Sequence, residues 1–292
     1  MNIAEMYETL KRGEDENFFL HPHIADGLRS VRSVKLVGPD TWLSASKTPN
    51  MCERAIIIAW RLQVEMADIR SAEDRWLADR GTYLHSMFQD KWLGPLKLLM
   101  GGWKCPHCSH VHTSDGKNEV TFHNATLCPD ECESCGKKND VRWEPFQFQE
   151  PWCRNHDVLV RGPCDGLLVV PFGGLEILDL KTVKNIASVK RAPRDSHVKQ
   201  LHWYMDPAGI RKGRIVYMDP GAKRFSEAIV EHLVEFDNNL VSLEKEKVLG
   251  LREALKEENK DRPPPACKWG GQLPYGPCEC LQLEGLWASH GD

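Results

Sequence analysis

The sequence predicts an α/β fold, a mixed sheet flanked by helices with a small cysteine-rich insertion. Three observations point there. Two apolar, β-branched-rich runs, Val158 to Val170 and Leu175 to Lys181, are joined by Pro171-Phe-Gly-Gly174 and read as an antiparallel hairpin. Helical periodicity brackets that hairpin on both sides. Between Trp103 and Arg142 the composition shifts to Cys, His, Gly, Asn and Asp, with few aliphatics. The expected division is an arm over 1–40, a helical part over 41–102, the insertion over 103–142, the sheet-bearing core over 143–236, and a helix with a Cys-rich tail over 237–292.

Residues 1–40 are polar and irregular, with a His21-Pro-His23 segment to which no chemistry is assigned beyond a lid or partner-contact arm. Leu43-Ser44-Ala-Ser46 leads to Cys52 and the apolar run Ala55–Trp60. Thr48 before Pro49 suits a helix start, since proline is tolerated in a first turn. A second helix is expected over Ala72–Leu99, its apolar face built from Trp76, Tyr83, Leu84, Met87 and Phe88. His85 lies within it, as a packed core histidine or as a ligand. Glu150 opens the next strand region. After the hairpin, Ser196–Met205 reads as a helix capped by Asp195 or Ser196 and stopped near Pro207 and Gly209. Gln200 and Tyr204, four apart, share one of its faces. Arg214–Met218 and Ala228–Phe236 look like strands. A helix over Asn238–Lys260 turns Leu240, Leu243, Val248, Leu251 and Leu255 inward, and Pro263-Pro-Pro265 ends it.

The 292 residues suffice for one large domain, with or without an insertion. The acidic start lacks a basic region followed by an apolar one, and no apolar run approaches a membrane span, so a cytoplasmic protein of a prokaryote or phage-infected cell is expected. A net charge of −4 gives no global pull on nucleic acid, so any such footprint is local. The candidate is Lys181–Arg214, where Lys181, Lys184, Lys190, Arg191, Arg194, Lys199, Arg211, Lys212 and Arg214 face only Asp195 and Asp206.

Two acids sit where plain core strands carry none. Asp165 lies in the first run and Asp179 in the second. A period of two puts Ile177, Asp179 and Lys181 on one strand face, and Glu176, Leu178 and Leu180 on the other. Two acids and a lysine at one end of a sheet suit a hard divalent metal held by oxygens, with an ammonium beside it. The alternative is a surface ion pair of little consequence. Eleven cysteines without an export signal point to metal ligation rather than disulfides. Cys105-Pro-His-Cys108 and Cys132-Glu-Ser-Cys135 form two knuckles that match a closed tetrahedral zinc site. Cys128, His107, His110 and His112 are close enough to compete for a place. Such a ribbon is a structural brace, or a grip on DNA or a partner. Cys153 and Cys164 are expected to be unligated.

The hairpin with Gly162-x-x-Asp165 and Asp179-x-Lys181 resembles the PD-(D/E)XK nuclease superfamily. Gly81-Thr-Tyr-Leu-His85 upstream and Gln200-Leu-His-Trp-Tyr204 downstream are similar to the Gly-x-x-x-His and Gln-x-x-x-Tyr helices of its RecB-like branch, which includes CRISPR-associated RecB-type exonucleases. The match spans roughly Leu43 to Cys280. It implies Mg²⁺ or Mn²⁺ held by His85, Asp165, Asp179 and the Leu180 carbonyl. Lys181 would be base assistant or electrostatic stabiliser, with Gln200 and Tyr204 positioning the strand or the lysine and Glu150 a secondary candidate. It further implies a 4Fe–4S cluster on Cys52, Cys267, Cys278 and Cys280, although Glu53 replaces the family's proline and the Cys-x₁₀-Cys-x-Cys tail departs from its tighter step. A second zinc site or unligated thiols are the alternatives there. The implied activity is DNA phosphodiester hydrolysis, by an exonuclease acting on single strands or ends. A structure-specific endonuclease in a recombination, replication or phage complex, and a silent Zn/Fe–S DNA-binding module, are the alternatives.

Overall fold

The structure, a computed structural model, describes residues 30–34, 36–64, 66–70, 72–171, 174–259, 264–267, 272–273, 276–278, 280 and 283. His21–His23 and most of the 1–40 arm lie outside them. It is a mixed α/β arrangement of sheets flanked by helices.

In chain order, β1 (Ser30–Val34) leads to β2 (Leu43–Ser44) and α1 (Glu53–Leu62). Pro49 sits in a separate one-turn 3-10 helix, Thr48–Asn50, so α1 begins later than expected, with Cys52 at its N-cap position. Then come β3 (Met66–Arg70), which pairs with β1, and α2 (Ala72–Ser86). The expected helix to Leu99 does not persist: α2 passes into a π-helical stretch, Met87–Leu93, and β4 (Leu99–Lys104) takes the rest. Trp76 and Tyr83 are not on its buried face; they are 53% and 70% exposed, while Leu84 and Phe88 pack inward.

Strands β5 (Val111–His112), β6 (Thr126–Leu127) and β7 (Gln147–Gln149) all pair with β4, so the Cys-rich segment is joined to the main sheet through β4. β8 (Trp152–Asn155) and β9 (Val160–Pro163) form a small separate sheet with β2. β10 (Gly166–Val170) and β11 (Gly174–Thr182) are the hairpin. The expected first strand from Val158 is therefore two strands in two sheets, broken at Cys164-Asp165. Gly166 makes the break, at φ +143°, and a Cβ there would lie 2.4 Å from Leu99 Cδ1.

α3 (Asp195–Ala208) connects β11 to β12 (Lys212–Met218), which run parallel, and ends at left-handed Gly209. Arg194 holds its N-cap position without a side-chain cap, so neither Asp195 nor Ser196 caps it; Asp195 stands in the first turn, where a negative charge favours the helix dipole. After a single turn, α4 (Phe225–Ala228), β13 (Ile229–Glu235) closes the sheet edge. The last helix, α5 (Asn238–Ala254), is capped by Asp237 and stops short of Lys260, a 3-10 turn following it. Leu243 is 55% exposed rather than inward; Val241 and the buried, lysine-paired Glu244 take the inner face.

The main sheet is ordered β13-β12-β11-β10-β4-β5. One face, through Ile177, Ile215 and Tyr217, packs on Leu201 and Met205 of α3 and Val248 and Leu251 of α5. The other, through Leu178, Leu180, Val216 and Met218, meets Leu84, Phe88 and Trp103. The alternation in β11 is thus used as its period of two dictates, both faces being covered. Arg252 of α5 ties the small sheet down, donating to the carbonyls of Thr41, Val158 and Leu159.

Candidate metal centre and its surroundings

Strand alternation sends Asp179 and Lys181 from β11 to the same side. Lys181 Nζ donates to Asp179 Oδ1 at 2.9 Å and to Gln200 Oε1 at 3.0 Å, and Gln200 Nε2 donates to the Tyr204 hydroxyl at 2.8 Å. All four side chains are largely buried. Burial opposes the lysine's charge, but Asp179 and Asp165 outweigh it and hold its pKa above the usual value. Asp179 is pushed up to about 6, burial outweighing the attraction of Lys181 and the charge of Asp165 adding to it. Its Oδ2 is buried with no protein partner, a costly position that a cation would relieve.

Asp165, set in the break between the two sheets, turns the other way. Its Oδ2 accepts from the Leu180 N–H, and its Oδ1 lies 3.4 Å from His85 Nδ1. Burial disfavours its ionised form, yet the His85 contact, Lys181 and the Leu180 N–H hold its pKa below the usual range. His85 rises in turn, as Asp165 outweighs burial. Gly81 lets α2 approach: a Cβ there would stand 3.1 Å from Thr182 Oγ1, beside Lys181. Donor atoms of His85, Glu150 and Asp165 all lie within 4.8 Å of one another. Glu150 is pushed up to about 7, first by burial and then by Asp165. Three convergent N/O donors beside an orphaned carboxylate oxygen suit a hard divalent ion. Glu150 stands in this grouping with His85 and Asp165, and Asp179, coupled to Asp165, is hydrogen-bonded to Lys181. Leu180 reaches this cluster through its amide.

Gln89 was missed by the sequence reading. It is buried, and its Nε2 donates to the Asp165 carbonyl at 2.8 Å. Its place four residues after His85, on the same helical face, was the available signal. His197, three before Gln200, was missed too; it pairs with the Tyr217 hydroxyl at 2.8 Å. Burial, then Lys181 and Arg194, lower its pKa to about 3. The expected basic footprint is partly spent internally: Lys181, Lys199 and Arg214 pair with Asp179, Glu244, and Glu176 plus Glu231. A cavity of about 560 Å³ opens on the His85–Glu150 side, with Gln89, Trp152 and Pro163 in its walls and Asn118–Val120 of the Cys-rich segment closing it.

The knuckle sulfurs are gathered, Cys105 to Cys135 at 3.7 Å and Cys108 to Cys132 at 3.6 Å. Four thiolates at about 2.3 Å from one tetrahedral ion stand about 3.8 Å apart, so the set fits. Cys128 is outside it: its buried sulfur accepts from Asn139 Nδ2, and burial pushes its thiol up to about 12. His107 lies by Glu144, and His110 and His112 converge on Glu133 as a group separate from the four sulfurs. Cys153 and Cys164 are buried among apolar side chains. Cys52, Cys267, Cys278 and Cys280 also bring their sulfurs within 4.8 Å of one another, with Cys52 to Cys267 at 4.0 Å and Cys278 to Cys280 at 3.2 Å. Among the described residues no helix is long and apolar enough to cross a membrane.

No family model matches the chain, and no curated protein does. Among solved structures, it is similar to LHK-Exo in complex with dAMP at a TM-score of 0.43 and 14% identity, over 75% of this chain and 90% of that one. The alkaline exonuclease LHK-Exo from Laribacter hongkongensis matches again at a TM-score of 0.38, 14% identity and the same coverage. SSO0001 matches at a TM-score of 0.36 and 13% identity, over 84% and 86% of the two chains. These superpositions are loose, and the functional reading rests on the residues.

Proposed function

We propose that this chain is a metal-dependent DNA nuclease of the RecB-like PD-(D/E)XK kind, hydrolysing phosphodiester bonds at single strands or ends. The observation that supports it is the placement of Asp165: held by His85 and the Leu180 amide, it adjoins an Asp179–Lys181–Gln200–Tyr204 chain. His85, Glu150, Asp165 and Asp179, with the Leu180 carbonyl, would hold Mg²⁺ or Mn²⁺. When bound, the cation supplies positive charge to the phosphate oxygens and makes water a stronger acid. Lys181, its pKa raised, stays an ammonium and serves as stabiliser of the negative charge that builds on phosphate, rather than as a base. Gln200 aims that ammonium, and Tyr204 fixes Gln200. Burial of the chain keeps water from competing for these bonds.

Zinc on Cys105, Cys108, Cys132 and Cys135 would order the inserted ribbon, which lacks the aliphatic side chains to fold by burial alone. For Cys52, Cys267, Cys278 and Cys280 the resemblance favours a 4Fe–4S cluster. A second reading, one zinc ion, is favoured by how closely the sulfurs crowd, since a cubane binds each thiolate at a different iron. Iron and zinc content of anaerobically purified protein separates the two. The test of the function is cleavage of end-labelled single- and double-stranded DNA with Mn²⁺. Degradation of linear but not circular substrates supports the exonuclease; cleavage of circles supports an endonuclease; no cleavage under either condition leaves the silent binding module.

A further inference from the structure

We propose that the outward face of the small β2-β9-β8 sheet is a ledge that binds single-stranded nucleic acid by its phosphates and leads it into the cavity beside His85 and Glu150. Only the fate of the strand in that cavity rests on the nuclease reading.

The period of two in β8 and β9 buries Cys153, Val160 and Gly162 and turns Trp152, Arg154, Arg161 and Pro163 outward. The register pairs Trp152 with Pro163 and Arg154 with Arg161. Trp152 and Pro163 line the cavity, so the two arginines stand just outside its mouth on the same strands. The Arg161 guanidinium lies between two indoles, 5.4 Å from the Trp42 ring centre and 5.7 Å from that of Trp152. Arg154 lies 5.8 Å from the Trp152 ring centre. Glu119 binds Arg154. Arg161 is exposed, and its charge, after that of Arg154, helps hold the Glu119 carboxyl below its usual range.

A guanidinium within cation–π distance of two rings has lost part of its rotamer freedom, so gripping a phosphate costs it less. A guanidinium presents its N–H donors in a planar fork that fits phosphate. The half-buried indoles of Trp42 and Trp152 next to such cations are the ingredients of sequence-tolerant binding to single strands. Charge adds a reason: two arginines share one carboxylate, Glu119, at the cavity mouth, which leaves a local positive charge that attracts a polyanion. The cavity's size sets strandedness. At about 560 Å³ it is on the scale of a small-molecule site and does not admit a duplex. Finally, β9 ends at Pro163 in the cavity wall, two residues before Asp165, so a strand following the ledge arrives beside the candidate centre.

The test uses the full-length Asp179→Asn protein, which separates binding from cleavage, and fluorescence anisotropy with a labelled single strand and its blunt duplex, without added divalent cation. Arg161→Ala and Trp152→Ala are each expected to weaken single-strand binding about tenfold. Arg161→Ala should also flatten the dependence of log K on log salt by about 0.7. Arg161→Lys, which keeps charge but not the stacked fork, should fall between. Unchanged single-strand affinity in Arg161→Ala overturns the ledge, as does an equal loss for duplex. Because Arg161 is exposed, this variant tests the ledge even where Trp152→Ala fails to fold. Wild-type cleavage with Mn²⁺ is scored separately: cleavage with unaffected binding rejects the ledge alone, and ledge-dependent binding without cleavage rejects the nuclease reading alone.

Discussion

The two halves of the candidate centre are built on opposite principles. The inner half, Asp179, Lys181, Gln200 and Tyr204, is a buried chain of hydrogen bonds whose members come from one strand and one helix. The outer half, His85, Glu150 and Asp165, is drawn from three separate stretches and faces a cavity closed in part by the Cys-rich segment. In the inner half the polar side chains bond one another and leave the buried Asp179 Oδ2 without a partner; in the outer half three donor atoms converge within 4.8 Å and could hold a metal ion. Position is supplied by one and capacity by the other.

Breaking the inner half should cost most. Lys181→Ala is expected to lower Mn²⁺-dependent cleavage about 10³-fold, with the thermal midpoint little changed, in a single-turnover assay beside a melting curve. Asp179→Ala should be as severe. Activity retained in Asp179→Ala but lost in Glu176→Ala would mean that the wrong face of β11 has been assigned; Glu176, which bonds Arg214 at 2.8 Å, is expected to affect stability instead.

A supporting partner matters less than the group it aims. Gln200→Ala should reduce cleavage about 10- to 100-fold, and Tyr204→Phe by less, since each leaves the ammonium in place but less well directed. Equal losses in Gln200→Ala and Lys181→Ala would show that Gln200 contacts the substrate itself.

The outer half is sharpened by metal removal from the ribbon. Cys105→Ser should lower bound zinc by one ion per chain and, by loosening Asn118–Val120, weaken Mn²⁺ activation several-fold, on the scale of other supporting contacts. Zinc retained at full occupancy in Cys105→Ser with Cys132→Ser would remove that site from the account.

The smallest expected effect is on stability against pH. Without divalent cation, Glu150 and Asp179 hold protons in the folded chain up to about 7 and about 6, which the unfolded chain loses near about 4. Their contribution is therefore present at low pH and lost as pH rises through those values. His197 runs the other way. Folded at about 3 against about 6.5 unfolded, it contributes fully above 6.5 and loses this as pH falls toward 3. Raising pH from about 6 to about 8 should thus destabilise the metal-free protein by on the order of 1 kcal/mol, Glu150→Gln should flatten that change, and Mn²⁺ should reverse it. Melting curves across pH, with and without Mn²⁺, read all three.

Most of the inner half was legible in the residues, because its geometry is local. Asp179 and Lys181 share a face by the strand's period of two, and Gln200 and Tyr204 by one helical turn. The knuckles were legible for the same reason, as each Cys-x-x-Cys presents two sulfurs to one point before any tertiary contact forms. The apolar runs that became β11 and β12 were legible as strands, since both faces of the sheet are covered and their hydrophobic patterns are strong; α5 was legible as a helix but not in its end or in the side Leu243 takes.

The rest was decided by packing over long range. Nothing local marks Gly166 as the residue that breaks the first run into two sheets; at its φ of +143° the space a Cβ would need is taken by Leu99, 67 residues earlier in the chain. That break aims Asp165 at His85, and the outer half exists only once α2, the β7–β8 junction and this break are brought together. Helical periodicity marked Trp76 and Tyr83 as inward, but which side of α2 is covered depends on where the sheet lies, and they remain exposed. Cys52 meets the tail thiols across 215 residues, with no spacing to announce it beyond the family resemblance. Short-range periodicity, written in the sequence, determined the faces of strands and helices and the pairing within the knuckles. Which faces meet is a sum over contacts distant in the chain, and only the tertiary structure decided it.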